Sequence, residues 1–256
     1  MKLVDTHCHI HDPEFFPEIR QQVYQRAVDE DVYMLTVGTS QPSSAQAVEF
    51  VADHDFASAI VGVHPHDSKD GWGNINQLAG REKVVGIGEI GLDYFYEHSP
   101  RAIQRQALEA QLQIARDHNL PVSFHVRDEK SASGAVWQDF WPIFDNFSGI
   151  RGVLHSFTDT QVQLDRGFER GLYVGINGIA TFTRDKAQQK LYSSVDSRKI
   201  LIETDAPYLT PAPFRGTMNE PKFVGVVAEF LAAQRNVPSD EICAITTANA
   251  KHLYQI

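Results

Sequence analysis

Short apolar runs rich in β-branched residues alternate with amphipathic stretches along the whole chain. Eight of these runs have the length of a strand and are apolar on both faces, which is typical of parallel strands covered on each side. The predicted strands are Leu3–Thr6, Tyr33–Val37, Ala59–Val63, Val84–Ile87, Val122–Phe124, Gly152–Leu154, Leu172–Ile176 and Ile200–Ile202. Since eight parallel strands close a barrel, the pattern predicts the α/β class and a (β/α)8, TIM-type barrel.

The stretches between the predicted strands carry helix signals. Ser99 is expected to cap a helix and Pro100 to be its first residue. Two more helices are predicted to begin near Pro42 and Pro221, and a last helix is predicted over Ser239–His252. The alternative, a doubly wound open sheet, is disfavoured because no glycine-rich phosphate-binding turn follows the first predicted strand.

Length and composition agree with one barrel. The chain has 256 residues, 42% of them hydrophobic, which is enough for a sizeable core. No linker or shift in composition divides it, so residues 1–256 are predicted to form a single domain. The sequence has no apolar stretch of about 20 residues and no signal-peptide pattern. Cys8 and Cys243 are too few for a disulfide framework, so we expect a cytoplasmic protein.

The balance of acidic and basic residues limits the kinds of binding partner that we expect. Asp and Glu number 33 and Lys and Arg number 23, which gives a formal charge of −10 with histidine neutral. A protein of this charge is not expected to coat nucleic acid or an anionic membrane through bulk attraction. A metal ion or a local basic patch can still reverse the sign inside a pocket.

Candidate chemistry concentrates at the carboxyl ends of the predicted strands, where the active sites of (β/α)8 barrels lie. The residues at these ends are His7, His9, His64, His66, Glu89, His125, His155 and Asp205. His7 and His9 are two positions apart on a strand, so both can point inward while Cys8 points away. Imidazole and carboxylate together suit zinc, manganese or iron, and the sequence therefore predicts a metal centre. Four of these imidazoles (His7, His9, His125 and His155) and the two carboxylates exceed the needs of one tetrahedral ion, whereas two ions about 3.5–4 Å apart would use them all.

Eight segments in a fixed order carry a family resemblance. They are Val4–His9, Gly62–His66, Gly86–Tyr94, Phe124–Asp128, Leu154–Phe157, Glu203–Leu209, Asn219–Pro221 and Asn249–Tyr254. Through them the chain resembles the TatD-type metal-dependent deoxyribonucleases, a branch of the amidohydrolase-like barrels, over nearly its whole length. Members are described as magnesium- or manganese-dependent nucleases, some with 3′-to-5′ exonuclease action, and a few are credited with D-aminoacyl-tRNA deacylation.

The resemblance implies a role for each site residue. One of two divalent ions would be held by His7, His9, Glu89 and Asp205. Glu89 would bridge to a second ion, held also by His125 and His155. Asp205 would in addition accept a proton from the attacking water, and His64 would contact the scissile phosphate rather than a metal. Magnesium or manganese is the expected working metal, and zinc is an ion that such a site can also bind.

Residues for binding the substrate are less sharply marked. Arg127 and Arg215 can each offer two donors to a phosphate, or can instead form loop salt bridges. The family usually has a basic stretch before Asn219, of which only Arg215 is present here. The aromatic run Tyr94–Tyr96 follows Glu89, where a ring either stacks on a nucleobase or packs within its loop.

Three classes of function remain open. The first is a deoxyribonuclease that hydrolyses phosphodiesters with metal-activated water, with DNA as substrate, no membrane partner and a monomer favoured. The second is a metal-dependent hydrolase of another ester or amide, such as a D-aminoacyl-tRNA or a lactone. The third is a barrel that keeps its metal only for folding. The presence of Asp205 as a potential base disfavours the third, because a structural metal needs no open coordination position.

Overall fold

A computed structural model describes residues 2–256, which form eight strands in one sheet whose order follows the chain. The strands are β1 (Leu3–Cys8), β2 (Val32–Val37), β3 (Ala57–Val61), β4 (Val84–Asp93), β5 (Val122–Arg127), β6 (Gly152–Leu154), β7 (Tyr173–Ile176) and β8 (Ile200–Ile202). Neighbouring strands run parallel and helices lie between them along the chain. The predicted (β/α)8 fold class is therefore confirmed.

Ten α-helices accompany the strands in the described part of the chain. They are α1 (Arg20–Asp29), α2 (Gln41–Ala52), α3 (Ile75–Ala79), α4 (Arg101–Asp117), α5 (Ala135–Asp145), α6 (Gln161–Glu169), α7 (Ile179–Phe182), α8 (Lys186–Ser194), α9 (Val224–Arg235) and α10 (Ser239–Tyr254). Short 3₁₀ helices cover Pro65–Asp70, Ser197–Lys199 and Pro221–Phe223. Within residues 2–256, no helix has both the length and the apolar composition needed to cross a membrane.

The chain divides into two compact units, one formed by the residues up to Thr36 and from Ser156 onward, the other by Val37–His155. In the first unit β7 pairs with β8, and β1 pairs with β2. The backbone beyond β8 runs beside the end of β1, since the Asp205 N–H donates to the His7 carbonyl at 2.8 Å. The His9 N–H likewise donates to the Ala206 carbonyl at 2.8 Å. This pairing places the residues that end β1 next to those that follow β8.

In the second unit β3, β4, β5 and β6 pair in that order. Strand β4 is the longest, and its last residues stay in register with β5, with Gly91 opposite His125 and Asp93 opposite Arg127. Gly91 is required here, because a Cβ atom at this position would lie 1.8 Å from the His125 carbonyl oxygen. The close approach aligns the carboxyl ends of β4 and β5.

Each predicted strand overlaps an observed strand, but only β6 and β8 agree in both bounds, and one predicted helix cap is wrong. The last helix begins at Ser239 as predicted, and α2 has Pro42 in its first turn, with Ser40 as its cap. Strands β4 and β5 extend several residues further than predicted, so Glu89 and His125 lie within strands rather than beyond them.

The predicted cap of α4 is also wrong. The Ser99 hydroxyl donates to the His66 carbonyl at 2.6 Å and accepts from the Lys69 N–H at 3.1 Å. Its hydroxyl is therefore engaged by the 3₁₀ segment and makes no cap. Pro100 keeps an extended ψ of 139°, and the helix begins at Arg101.

Candidate metal centre

Three of the predicted metal ligands, His7, His9 and Asp205, lie in the first unit and are called the first ligand group. His7 Nε2 is 3.9 Å and His9 Nε2 is 3.4 Å from the same oxygen, Asp205 Oδ1. Both imidazoles are buried, while the Asp205 side chain keeps 16% of its surface exposed. Between them, the Cys8 thiol faces the Leu35 carbonyl oxygen at 3.6 Å. The strand alternation predicted for this segment is therefore present, with two imidazoles turned toward one carboxylate.

Buried polar contacts hold this group in place. The Asp5 carboxylate is fully buried and accepts hydrogen bonds from the Thr204 N–H at 2.8 Å and the Thr204 hydroxyl at 2.6 Å. Burial raises the pKa of Asp5 well above its usual value, and the hydrogen bonds from Thr204 oppose that rise. Asn219, also fully buried, donates to the carbonyl oxygens of Thr204 and Tyr208. These bonds fix the backbone on both sides of Asp205.

Glu203, two residues before Asp205, is a further buried carboxylate of the first unit. Its Oε1 accepts from the Ser156 N–H at 2.6 Å. Its side chain lies over Gly175, where a Cβ atom would come within 2.4 Å of Oε2. Glu203 therefore fixes the chain directly after His155.

Glu89, His64, His125 and His155 lie in the second unit, and we call them the second ligand group, with Glu89 at its centre. Its Oε1 lies 2.8 Å from His125 Nδ1, 3.6 Å from His64 Nε2 and 3.8 Å from His155 Nε2. Burial lowers the pKa of His125, but hydrogen bonds to Asp93 and Glu89 outweigh it and raise that pKa to about 9. The surroundings of His125 therefore favour positive charge, which is the property that a divalent cation requires. Ligand atoms of Glu89, His64 and His125 lie within 4.8 Å of one another, close enough to hold an ion.

His64 differs from the other imidazoles of this group. Its Nδ1 accepts a hydrogen bond from the His66 N–H at 3.2 Å. Burial lowers the pKa of His64 well below its usual value, so the ring is neutral near pH 7. A neutral imidazole whose Nδ1 accepts carries its hydrogen on Nε2, and in that tautomer Nε2 has no lone pair for a metal. In this arrangement the Nε2–H of His64 is a hydrogen-bond donor.

Asp93 is a site residue whose two imidazole contacts the sequence did not indicate. Its side chain is fully buried, and Oδ2 lies 2.9 Å from His125 Nε2 and 3.0 Å from His66 Nε2. Its other oxygen accepts from the N–H groups of Phe95 and Tyr96. Burial alone raises the pKa of Asp93, but the hydrogen bonds from His125 and His66 outweigh it and hold the pKa far below its usual range. Asp93 is therefore an ionised acceptor that orients both rings.

The two predicted phosphate-binding arginines both pack on aromatic rings. Arg127 is exposed, and its guanidinium carbon lies 4.3 Å from the centre of the Phe95 ring. Arg215, also exposed, lies 3.9 Å from the centre of the Phe182 ring and donates to the Thr210 carbonyl. Arg127 is on β5, the strand that carries His125, whereas Arg215 lies in the loop after β8.

Comparison with known proteins decides the family. The model of the TatD-related DNase family matches residues 4–255. The chain belongs to this family. The uncharacterized metal-dependent hydrolase YabD of Bacillus subtilis is 34% identical, with 99% of each chain covered. The 3′-5′ ssDNA/RNA exonuclease TatD of Salmonella typhimurium is 35% identical, with 94% of this chain and 95% of the relative covered.

A solved structure supports the same assignment. The TatD homologue YjjV of Escherichia coli superposes with a TM-score of 0.87 at 25% identity and covers 100% of this chain and 98% of its own. The chain is therefore a metal-dependent hydrolase of the TatD family, with histidine and glutamate clusters able to hold metal ions.

Proposed function

We propose that the protein is a two-metal phosphodiesterase that removes nucleotides from the 3′ end of single-stranded DNA. The observation that carries this proposal is Glu89, one of whose carboxylate oxygens faces three imidazole nitrogens. A carboxylate in that setting is suited to bridging two divalent ions, which clamp a phosphoryl group in many nucleases and phosphatases. The Salmonella relative named as a 3′-5′ ssDNA/RNA exonuclease supports the choice of substrate.

The residues would divide the work as follows. His7, His9, Asp205 and Glu89 would hold one ion, and Glu89, His125 and His155 the other. Imidazole and carboxylate donors fit divalent manganese or zinc well, and magnesium less tightly. Bound ions would supply Lewis acidity and neutralise charge on the phosphodiester.

Four side chains would act on the reactants directly. The Asp205 side chain keeps 16% of its surface exposed, so water can reach it, and it would accept the proton of the attacking water. The His64 Nε2–H donates to a non-bridging phosphate oxygen. Arg127 and Arg215 supply guanidinium donors to neighbouring phosphates. We further propose that the protein acts as a monomer in the cytoplasm, where its two buried free cysteines stay reduced.

The test compares substrates on protein loaded with a defined metal. Chelated protein is reloaded with manganese, magnesium or zinc and given a single-stranded oligonucleotide labelled at its 5′ end. We expect a ladder of products shortened from the 3′ end, abolished by EDTA. A p-nitrophenyl ester and a D-aminoacyl-tRNA are assayed in parallel. If the ester or the D-aminoacyl-tRNA is hydrolysed and DNA is not cleaved, the proposed nuclease function is wrong and the protein is an ester or amide hydrolase.

A variant pair ties the activity to the site. Asp205→Asn should lose most of the nuclease activity, while Asp55→Asn should keep it. Asp55 is a matched control, because it is a surface carboxylate that pairs only with Lys83 among the described ion pairs. If Asp205→Asn protein has lost all of its metal but still cleaves DNA at the full rate, the cleavage comes from a contaminating nuclease.

A further inference from the structure

An aromatic segment follows β4 directly and stands beside the second ligand group. Tyr94 is buried, and its hydroxyl donates to Asp139 at 2.5 Å, so this ring belongs to the fold. The next rings turn outward, and Tyr96 is 51% exposed. Tyr96 lies nearly parallel to the His98 ring, at an interplanar angle of 6° and a centroid distance of 5.7 Å. We call Phe95, Tyr96 and His98 the aromatic platform.

The platform is held rigidly. Asp93 accepts hydrogen bonds from the Phe95 N–H at 2.9 Å and the Tyr96 N–H at 2.8 Å. The Phe95 ring also packs edge-to-face on Tyr96, with centroids 4.7 Å apart. An exposed ring whose backbone is fixed in this way loses little conformational entropy when a ligand covers it.

The aromatic platform adjoins the second ligand group. The Tyr96 ring centroid is 5.6 Å from that of His66, and the His66 centroid is 6.2 Å from that of His125. Asp93 bonds the two imidazoles as well as the platform backbone. A planar group resting on Tyr96 is therefore separated from His125 by a single imidazole, that of His66.

Two cationic side chains lie over these rings in a chain that is acidic overall. The Arg127 guanidinium lies 4.3 Å from the Phe95 centroid and 5.0 Å from that of Tyr96. The Lys130 ammonium lies 5.2 Å from the Phe95 centroid. Exposed aromatic rings with interleaved cations are the chemistry by which proteins bind single-stranded nucleic acid, since rings stack on bases and cations contact phosphates.

We propose that the platform binds the terminal nucleobase of a single-stranded substrate by stacking on Tyr96, while Arg127 contacts an adjacent phosphate. This inference rests on the proposed nuclease function for the identity of the substrate. Stacking on an aromatic face is tolerant of sequence, so the enzyme should accept all four bases and prefer purines. A nucleotide without a base should lose the contact.

The test removes either the ring or the base. Tyr96→Ala, Tyr96→Phe and wild type are compared on two oligonucleotides, one ending in adenosine and one ending in an abasic tetrahydrofuran nucleotide. Tyr96→Ala should lower kcat/KM for the adenosine substrate roughly tenfold, mainly through KM, the scale of one lost base stack. It should leave the abasic substrate unchanged, and Tyr96→Phe should behave as wild type. Tyr173→Ala is the matched control, because Tyr173 also lies under a lysine but at the first residue of β7.

A binding measurement separates this proposal from the nuclease function. An oligonucleotide with terminal 2-aminopurine is titrated with manganese-loaded Asp205→Asn protein, with and without Tyr96→Ala. Quenching of the 2-aminopurine fluorescence that disappears with Tyr96→Ala would support base stacking. This holds even if the wild type cleaves no DNA and the proposed nuclease function is wrong. If Tyr96→Ala lowers cleavage of the adenosine and the abasic substrate equally, or lowers neither, the proposed base stacking on Tyr96 is wrong. The proposed nuclease function would be unaffected by either result. Absence of quenching with the Tyr96 ring present would also overturn the proposed base stacking.

Discussion

At the scale of single residues, Asp93 decides which nitrogen of His125 is available to a metal. A carboxylate only accepts hydrogen bonds, so the His125 nitrogen that faces Asp93 carries a hydrogen. The other nitrogen, Nδ1, faces Glu89, and a bound cation would take the place of the proton there. Metal-binding histidines are commonly oriented by such a carboxylate.

Asp93→Asn should weaken metal binding without unfolding the segment. The amide oxygen can keep the bonds from Phe95 and Tyr96, but the amide nitrogen would then donate toward His125 Nε2. His125 would have to carry its hydrogen on Nδ1, facing Glu89, where the ligand lone pair is needed. Affinity for one of two manganese ions should fall roughly 10- to 100-fold, as measured by titration with metal analysis. Asp139→Asn, which removes a carboxylate bonded to Tyr94 and Arg105, should leave that affinity unchanged.

Substitution of Asp205 and of His155 should lower activity for different reasons. Asp205→Asn keeps an oxygen for the metal but removes the base, so turnover should fall about 10²- to 10⁴-fold while metal content falls less. His155→Ala should empty one site, and excess manganese should partly restore activity. Both variants, with His118→Ala as a surface-histidine control, are assayed across a manganese titration. Near-normal turnover of Asp205→Asn at saturating metal would show that Asp205 only coordinates.

Residue patterns predicted part of this site and missed another part. Alternation along β1 was enough to turn His7 and His9 the same way, since it depends only on the strand period. The contacts of Asp93 with His66 and His125 join residues 27 and 32 positions apart. They depend on how far β4 extends and on its register with β5, which local periodicity does not specify. The same register places the aromatic platform beside His66.

At the scale of elements, the pairing of β4 with β5 carries the second ligand group. Gly91→Ala would place a methyl group 1.8 Å from the His125 carbonyl oxygen, so the strands would have to separate. We expect a loss of about 3 kcal/mol or more in the free energy of unfolding, measured in urea. Gly225→Ala, on a helix where the nearest atom lies 3.8 Å away, should be neutral or slightly stabilising. A Gly91→Ala protein with normal stability and metal content would contradict this account of the strand pair.

Element bounds were predicted best where one local signal acts alone. Gly152–Leu154 and Ile200–Ile202 agree with the structure residue for residue, because both are short apolar runs bounded by polar residues. Strand β4 extends through glycines that weaken any strand signal, and close packing against β5 keeps it extended. Local preference predicts Ser99 as a helix cap. In the structure its hydroxyl instead donates to the carbonyl of His66, 33 residues away.

At the scale of the whole molecule, the formal charge of −10 sets how a DNA substrate can be attracted. A surface of this sign repels a polyanion, so attraction must come from bound metals and a few local cations such as Arg127, Lys130 and Arg215. Each phosphate contact to single-stranded nucleic acid contributes a slope of about −0.7 to the dependence of log affinity on log salt. With so few contacts we expect a slope near −2 to −3, measured with manganese-loaded protein between about 50 and 200 mM salt.

Arg127→Ala should make this dependence shallower by about 0.7, the share of one lost phosphate contact. Arg166→Ala is the control, because Arg166 lies in the last turn of α6, away from both ligand groups along the chain, and should leave the slope unchanged. A slope steeper than about −6 would mean that many phosphates are neutralised at once. The substrate would then follow an extended basic surface, and recognition at the ligand groups and the aromatic platform would account for only part of the binding.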